Sequence, residues 1–172
     1  MGRPKQARDE VDQLVDDWRR ERPEVDVSPL EILSRVTRLA RHLDRVRKQA
    51  FASQDLEQWG FDVLAALRRA GAPYELAPGA LLQATLVTSG AMTNRLGRLE
   101  VAGLVARRPD PTDGRGVIVK LTPAGKRRVD KCLSLLLESE QALIKSLPAE
   151  DRHVLAGLLR DVLLPLDTGT GA

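Results

Sequence analysis

Aromatic residues and cysteine are scarce in this chain of 172 residues. Phe, Trp and Tyr make up 3% of it, although hydrophobic residues together make up 42%. We therefore expect a core built mainly from Leu, Val and Ala. The single cysteine, Cys132, excludes an internal disulfide and fits a reducing cytoplasm. Its leucine-rich surroundings favour a buried small hydrophobe, and a redox-sensing thiol is the alternative.

Long apolar runs are lacking as well. No segment approaches the ~18 consecutive apolar residues that a membrane-spanning helix needs. No apolar region follows the basic N-terminal residues 1–5, as a secretion signal would require. The sequence therefore predicts a cytoplasmic protein with no membrane partner.

Motifs that carry catalysis are also missing. The two histidines, His42 and His153, fall on different predicted helices without Cys or carboxylate neighbours at metal-ligand spacing. No Gly-rich phosphate loop, nucleophile elbow or HExxH pattern occurs. We expect neither an enzyme nor a bound cofactor or metal; a metal-sensing regulator is the less favoured alternative.

What the sequence does contain is an unusual stretch at residues 85–122. Thr88 or Ser89 can cap a helix, because a hydroxyl there accepts a hydrogen bond from a first-turn amide. The helix is predicted to run to about Ala102, with Gly103 just past its end. Its apolar residues recur at helical spacing on one face. These are Met92, Leu96 and Leu99, and the opposite face carries Gly90, Ala91, Asn94, Arg95 and Arg98.

A predicted β-hairpin follows this helix. Two β-prone runs, at residues 104–108 and 117–122, flank a segment rich in Pro, Asp and Gly. Arg115 lies between two glycines at the expected hairpin tip, where it can enter a narrow minor groove. The helix and the hairpin together predict a winged helix-turn-helix, in which the helix lies in a DNA major groove.

The distribution of charge favours the same interpretation. From Ser89 to Lys131 ten Lys and Arg residues stand against four acids, so this segment carries +6 in a chain of net charge +3. Concentrated positive charge is what phosphate binding requires. The alternatives are a basic helix and hairpin that are merely solvated, and a module whose basic face binds an acidic protein.

This stretch resembles the MarR family of bacterial transcriptional regulators. The resemblance rests on Thr88-Ser89 through Arg95, on Leu99-Glu100-x-x-Gly103-Leu104-Val105, on Asp113-x-Arg115 and on Leu121-Thr122-Pro123-x-Gly125. The chain departs from the family at Gly114, where many members carry a first wing arginine, so weaker wing contacts are expected. The resemblance implies a homodimeric, DNA-binding regulator in the bacterial cytoplasm, and we expect a repressor.

The rest of the chain is predicted to be helical, giving a mainly α fold with a small β-hairpin wing. Leucine-rich terminal helices exceed what one small core can bury, which favours a two-fold dimer on a palindromic operator. Pro165 is expected to stop the last helix. Predicted helices cover residues 7–20, 28–53, 56–70, 78–86, 122–147 and 148–164. We assign residues 1–55 to dimerisation and a wall of a ligand pocket, 56–122 to the winged helix, 123–166 to dimerisation, and 167–172 to a disordered tail.

Residue types on the helix and wing assign the DNA contacts. Asn94 and Arg98 are expected to read base edges, and Arg115 the minor groove. Ser89, Thr93 and Arg108 are expected to bind mainly phosphates. Arg95 and Asp113 complete the predicted DNA-binding set.

The chain further resembles the urate-responsive branch of the family, in which an extra N-terminal helix precedes the usual first one. The resemblance implies a ligand set of Trp18, Asp62, Arg95 and Arg107, through which a planar anion such as urate would release the DNA. Each residue also has an interpretation that needs no small-molecule ligand. Trp18 can serve packing, Asp62 can be a solvated carboxylate, Arg107 can contact phosphate and Arg95 can contact a base. A DNA-binding regulator without a small-molecule effector is therefore the alternative. The residues also leave the chemical class of the ligand undetermined, since purines and small tricarboxylates can both pair with two arginines.

Overall fold

The structure, a computed structural model, describes residues 7–85, 88–111 and 116–167. These residues form a mainly helical chain with one small sheet, which confirms the predicted fold class. The chain divides into two compact units, one ending at Arg45 and the other beginning at Val46. The elements in order are α1 (Glu10–Glu21), α2 (Ser28–Ala52), α3 (Gln58–Arg69), β1 (Glu75–Leu76), α4 (Pro78–Thr85), α5 (Ser89–Val101), β2 (Val105–Pro109), β3 (Val117–Leu121), α6 (Pro123–Ile144) and α7 (Ala149–Asp167).

In the first unit, α1 begins later than predicted because Asp9 caps it. The Asp9 carboxylate accepts hydrogen bonds from the backbone N–H groups of Val11 and Asp12. In return, the Asp12 carboxylate accepts a hydrogen bond from the backbone N–H of Asp9. Such a capping box satisfies first-turn amides that would otherwise lack partners. Val11 and Val15 are buried against Val27.

Ion pairs also hold this unit together. The guanidinium of Arg35, on α2, donates to the carboxylates of Asp9 and Asp12 at 2.8–2.9 Å. The hydrogen bonds from Arg35 lower the pKa of the Asp9 carboxyl to about 2. Arg19 of α1 pairs in the same way with Glu31 of α2 at 2.5 Å. Charge pairs thus join α1 to the part of α2 that lies in this unit, next to the cluster of Val11, Val15 and Val27.

The core of the second unit is centred on α3. Val63, Leu64 and Leu67 have no exposed surface, and they belong to one cluster with Leu81 of α4. Cys132 of α6 is fully buried in the same cluster. Burial raises the pKa of its thiol, so Cys132 has the character of a small core hydrophobe rather than of a reactive thiolate.

The sheet has the strand order β1-β3-β2, and both pairings are antiparallel. The strands β2 and β3 confirm the predicted hairpin, with Val105 opposite Leu121 and Pro109 opposite Val117. The strand β1 was not predicted, because a segment of two residues carries no alternating pattern. It lies against β3 and places Glu75 opposite Lys120.

Two details at helix ends differ from the sequence expectation. Thr88 is the N-cap of α5, but its hydroxyl makes no capping hydrogen bond. Pro165 lies inside α7, which continues to Asp167, so the expectation that this proline ends the helix is wrong. A proline inside a helix removes one N–H donor and crowds the carbonyl four residues earlier. Only two residues of α7 follow Pro165, so the turn that it disturbs is the last one. The predicted tail beyond Asp167 lies outside the described residues.

The junction between the wing and α6 explains the motif Thr122-Pro123-x-Gly125. The Thr122 hydroxyl accepts from the Gly125 amide at 2.9 Å and donates to the Gly103 carbonyl at 2.8 Å. A Cβ added at Gly125 would overlap the carbonyl oxygen of Leu104 and lie 2.8 Å from Leu121 Cδ1. Only glycine lets α6 approach the wing this closely.

Replacing Gly125 with alanine is therefore expected to lower the free energy of unfolding by about 1–3 kcal/mol, the usual cost of overpacking. Urea denaturation followed by circular dichroism measures this change. Gly79→Ala is the matched control, because a Cβ there meets nothing within 4 Å. A Gly125→Ala protein as stable as the control would contradict the close approach.

Candidate nucleic-acid interface

The orientation of α5 determines which of its side chains can meet a partner. Met92, Leu96 and Leu99 are buried, with exposed fractions of 1–3%. Ser89, Thr93 and Asn94 are exposed on the other side of the helix. This confirms the burial of the predicted apolar face, and the polar face is turned to solvent.

The middle of that exposed face contains two glycines, which add no side chain above the backbone. Gly90, Asn94, Gly97 and Val101 follow one another at spacings of four, three and four, which places them on one line of the helix. A Cβ at Gly90 would meet nothing within 4 Å, and Val101 is 92% exposed. A double helix can therefore approach the backbone of α5 closely at Gly90, whereas the Arg107 guanidinium lies next to Gly97.

Arg98 lies at the edge of the exposed face, beside the start of α3. Its guanidinium carbon is 4.6 Å from the centre of the Trp59 ring, and its Nη2 is 2.5 Å from Glu57 Oε1. The Arg98 side chain remains 58% exposed. The guanidinium of the predicted base-reading arginine is therefore contacted by Glu57 and Trp59, while more than half of the side chain stays open to solvent.

Arg95 and Asp62, two members of the predicted ligand set, lie near each other. Arg95 is half-buried on α5, with its guanidinium carbon 5.7 Å from the centre of the Trp59 ring. Burial raises the pKa of the Asp62 carboxyl on α3, although the positive charges of Arg95, Arg69 and Arg47 act in the opposite direction. Asp62 is a partly desolvated carboxylate among guanidinium groups rather than a fully solvated one.

Arg107, the third member, is fixed to α5 from the strand β2. Its Nε is 3.1 Å from Glu100 Oε2, and its backbone N–H donates to Glu100 Oε1 at 3.2 Å. Its Nη2 would lie 3.5 Å from a Cβ at Gly97. A molecule that binds Arg107 therefore acts directly on a side chain of the exposed helix.

Trp18, the fourth member, belongs to the unit that ends at Arg45. Its spacing along α1 places it on the same face as Val11, Leu14 and Val15. The two valines are buried, whereas Trp18 is 46% exposed and Leu14 is 40% exposed. Packing within its own unit therefore accounts for only part of the Trp18 surface.

Charged side chains are also paired across the wing. Glu75 of β1 accepts from Arg108 at 2.6 Å and lies 3.2 Å from the Lys120 ammonium group. The hydrogen bond from Arg108 is the main cause of the lowered pKa of the Glu75 carboxyl. Asp113 and Arg115, predicted DNA contacts at the hairpin tip, lie outside the described residues.

Sequence reasoning missed the carboxylates and the ring that hold these arginines: Glu57, Trp59, Glu75 and Glu100. Arg98 and Glu57 are 41 positions apart, and Arg108 and Glu75 are 33 apart. Helical periodicity detects neighbours three or four positions apart and carries no signal for such pairs. The antiparallel register of β1 with β3 would have shown that Glu75 faces Lys120.

No group of three or more His, Cys, Asp or Glu side chains suited to a metal ion occurs in residues 7–85, 88–111 and 116–167. Within the same ranges, no helix combines the length and apolar composition needed to cross a membrane.

The helix α4 contacts α5, and α5, with its exposed polar face, is followed by an antiparallel hairpin. This arrangement is that of a winged helix-turn-helix protein. Comparison with known proteins agrees. The MarR family model matches residues 54–116. PecS, a transcriptional regulator of Dickeya dadantii, is 34% identical over 150 residues, which cover 87% of this chain and 90% of PecS. MarR of Escherichia coli is 36% identical over 70% of this chain and 82% of its own.

Solved structures show the same relationship. A mutant MarR from E. coli complexed with operator DNA superposes with a TM-score of 0.65 and 33% identity, covering 80% of this chain and 96% of the other. BpsR of Bordetella bronchiseptica, whose DNA binding is regulated by 6-hydroxynicotinic acid, gives a TM-score of 0.62 at 26% identity, covering 76% and 91%. The chain belongs to the MarR family.

Proposed function

We propose that this protein is a transcriptional repressor that binds a palindromic operator as a homodimer and is released by a small planar anion such as urate. The orientation of α5 carries the proposal, because its apolar residues are buried while Ser89, Thr93 and Asn94 are exposed. The MarR structure complexed with operator DNA supports a double-stranded DNA partner. The alternative is a winged-helix protein that binds DNA without an effector.

The DNA contacts follow from the positions of the side chains. Asn94 and Arg98 are proposed to read base edges in the major groove, where amide and guanidinium groups find bidentate partners. Ser89 and Thr93 at the start of α5, and Arg108 on β2, are proposed to bind phosphates. Arg115 and Asp113 stay predicted contacts of the wing, and Arg95 a predicted contact at the edge of the face.

The dimer is proposed from the surface of α7. This helix has no buried residue in the single chain. Four of its apolar side chains are each more than half exposed: Val154, Leu158, Val162 and Leu163. So much exposed apolar surface on one helix is typical of an interface. Two copies related by a two-fold axis would present two α5 helices to a palindrome.

The effector is proposed to act through two arginines: Arg95, which belongs to α5, and Arg107, which pairs with Glu100 of α5. An anion bound by Arg107 would compete with Glu100 for the same guanidinium, and an anion bound by Arg95 would alter the charge next to Asp62. Trp18 stays a member of the ligand set that the resemblance implies. Regulation of BpsR by 6-hydroxynicotinic acid supports a planar heteroaromatic acid as the ligand class.

Titration of urate into a complex with a labelled operator tests the effector proposal. We expect release of the wild-type protein, with an affinity change of about 5- to 150-fold, the usual range of allosteric coupling. Arg107→Ala is expected to bind operator but to lose most of this response. Arg127→Ala, which removes the same charge from an exposed position on α6, is the control and should respond like wild type. No release at millimolar urate, with unchanged Trp fluorescence, would favour the regulator without an effector.

A further inference from the structure

We propose that Glu57 and Trp59 are positioning residues, which hold the guanidinium of Arg98 in the orientation that reads a base. The inference rests on the proposed function, in which α5 lies in the major groove. It goes beyond that function because it assigns a role in reading the DNA sequence to two residues outside α5. These are Glu57, the N-cap of α3, and Trp59 in the first turn of α3.

Two contacts hold the guanidinium. Glu57 Oε1 accepts from Arg98 Nη2 at 2.5 Å. The Arg98 guanidinium carbon lies 4.6 Å from the centre of the Trp59 ring. Contributions from Trp59 and Arg98 lower the pKa of the Glu57 carboxyl, so this carboxyl is held as the carboxylate that pairs with the arginine. The arginine is thus contacted both at its edge, by Glu57, and on its face, by Trp59.

The two residues that contact the guanidinium belong to the packed end of α3. Glu57 is the N-cap of α3, with its backbone in an extended conformation. The Trp59 ring is half-buried and packs against the main hydrophobic cluster. Two turns further along α3, Val63, Leu64 and Leu67 are fully buried. A long arginine that contacts such a support loses less rotamer freedom when it binds than a free one.

The arginine remains available to DNA. A guanidinium has five N–H donors in a planar fork, and Glu57 engages one nitrogen of Arg98. The side chain is still 58% exposed. Since Glu57 is negative, it repels phosphates while it positions the arginine, so its removal should weaken specific binding without weakening non-specific binding.

The test compares the affinity of each variant for the operator and for a scrambled duplex of the same length. For Glu57→Gln we expect operator affinity to fall about two- to fivefold, the range of an exposed cation–π or ion-pair contact. Affinity for the scrambled duplex should stay equal or rise. Trp59→Leu should lose specificity to the same extent, and Trp59→Phe, which keeps a ring but not the N–H, should lose less. Glu138→Gln removes the same charge from an exposed position on α6 and should keep the wild-type ratio of the two affinities.

A double-mutant cycle separates positioning from a general structural effect. When Arg98 is already alanine, Trp59→Leu should cause no further loss of specificity. The inference is overturned if Glu57→Gln and Trp59→Leu keep the wild-type ratio, or if Trp59→Leu loses as much specificity without Arg98 as with it. Tighter binding of Glu57→Gln to both duplexes would also overturn it. A wild-type protein that does not distinguish the two duplexes would instead contradict the proposed function itself.

Discussion

Replacing Arg98 with alanine is expected to weaken operator binding by about 1–3 kcal/mol, or roughly 5- to 150-fold. The reason is the position of its guanidinium at the edge of the exposed face of α5, where it is held by Glu57 and Trp59 but remains 58% exposed. Without this bidentate donor, the protein no longer distinguishes the correct base at that position from the others. Fluorescence anisotropy with the operator and with single-base variants of it measures both effects.

Arg68→Ala is the matched control for this variant. Arg68 makes the same two kinds of contact, with its guanidinium carbon 5.1 Å from the Tyr74 ring centre and its Nε 2.8 Å from Asp130 Oδ1. Its loss changes the net charge equally, so operator and scrambled duplex should be affected alike. If Arg98→Ala bound the operator as tightly as wild type, the assignment of the base-reading face would be wrong.

Introducing Leu158→Glu together with Val162→Glu is expected to convert the protein to a monomer. Both side chains are more than half exposed on α7, which has no buried residue in the single chain. In an apolar interface an unpaired carboxylate costs several kcal/mol, so the dissociation constant of the dimer should rise at least about 100-fold. Sedimentation equilibrium measures the mass, and operator affinity should fall with it because half-site binding is no longer coupled.

Val101→Glu is the control for the oligomeric state. Val101 is the more exposed side chain, at 92%, but it lies on the face of α5 proposed to meet DNA. The variant should therefore keep the mass of wild type. A wild-type protein that is monomeric at micromolar concentration, or a double variant that stays dimeric, would rule out α7 as the interface.

Helices with a regular apolar face were predictable, and so was the hairpin. Met92, Leu96 and Leu99 recur at helical spacing, and the structure buries all of them. Features set by a few residues or by packing were less accessible. The start of α1 depends on the capping box of Asp9, and α7 passes through Pro165 although proline usually ends a helix.

The exposure of Asn94 and Arg98 was predictable from the sequence, because both residues lie opposite the apolar face of a single helix. Their contact with DNA stays a prediction, and the side chains that hold Arg98 were not predictable. The sequence pattern could not identify Glu57, Trp59 or Glu75, since these residues meet their arginines only after distant segments fold together. The likeness to the urate-responsive branch drew attention to Asp62 and Arg95, which the structure places near each other, while their role in binding a ligand stays a prediction.

The most direct test of the account is the affinity of the wild-type protein for duplex DNA as a function of salt. The DNA upstream of its own gene is compared with a scrambled duplex of equal length. The account predicts that log K falls steeply and linearly with log salt concentration for both, as counterion release requires, with tighter binding to the upstream DNA at every concentration. Binding that is insensitive to salt, or equal for the two duplexes, would contradict the claim that α5 and the wing read DNA.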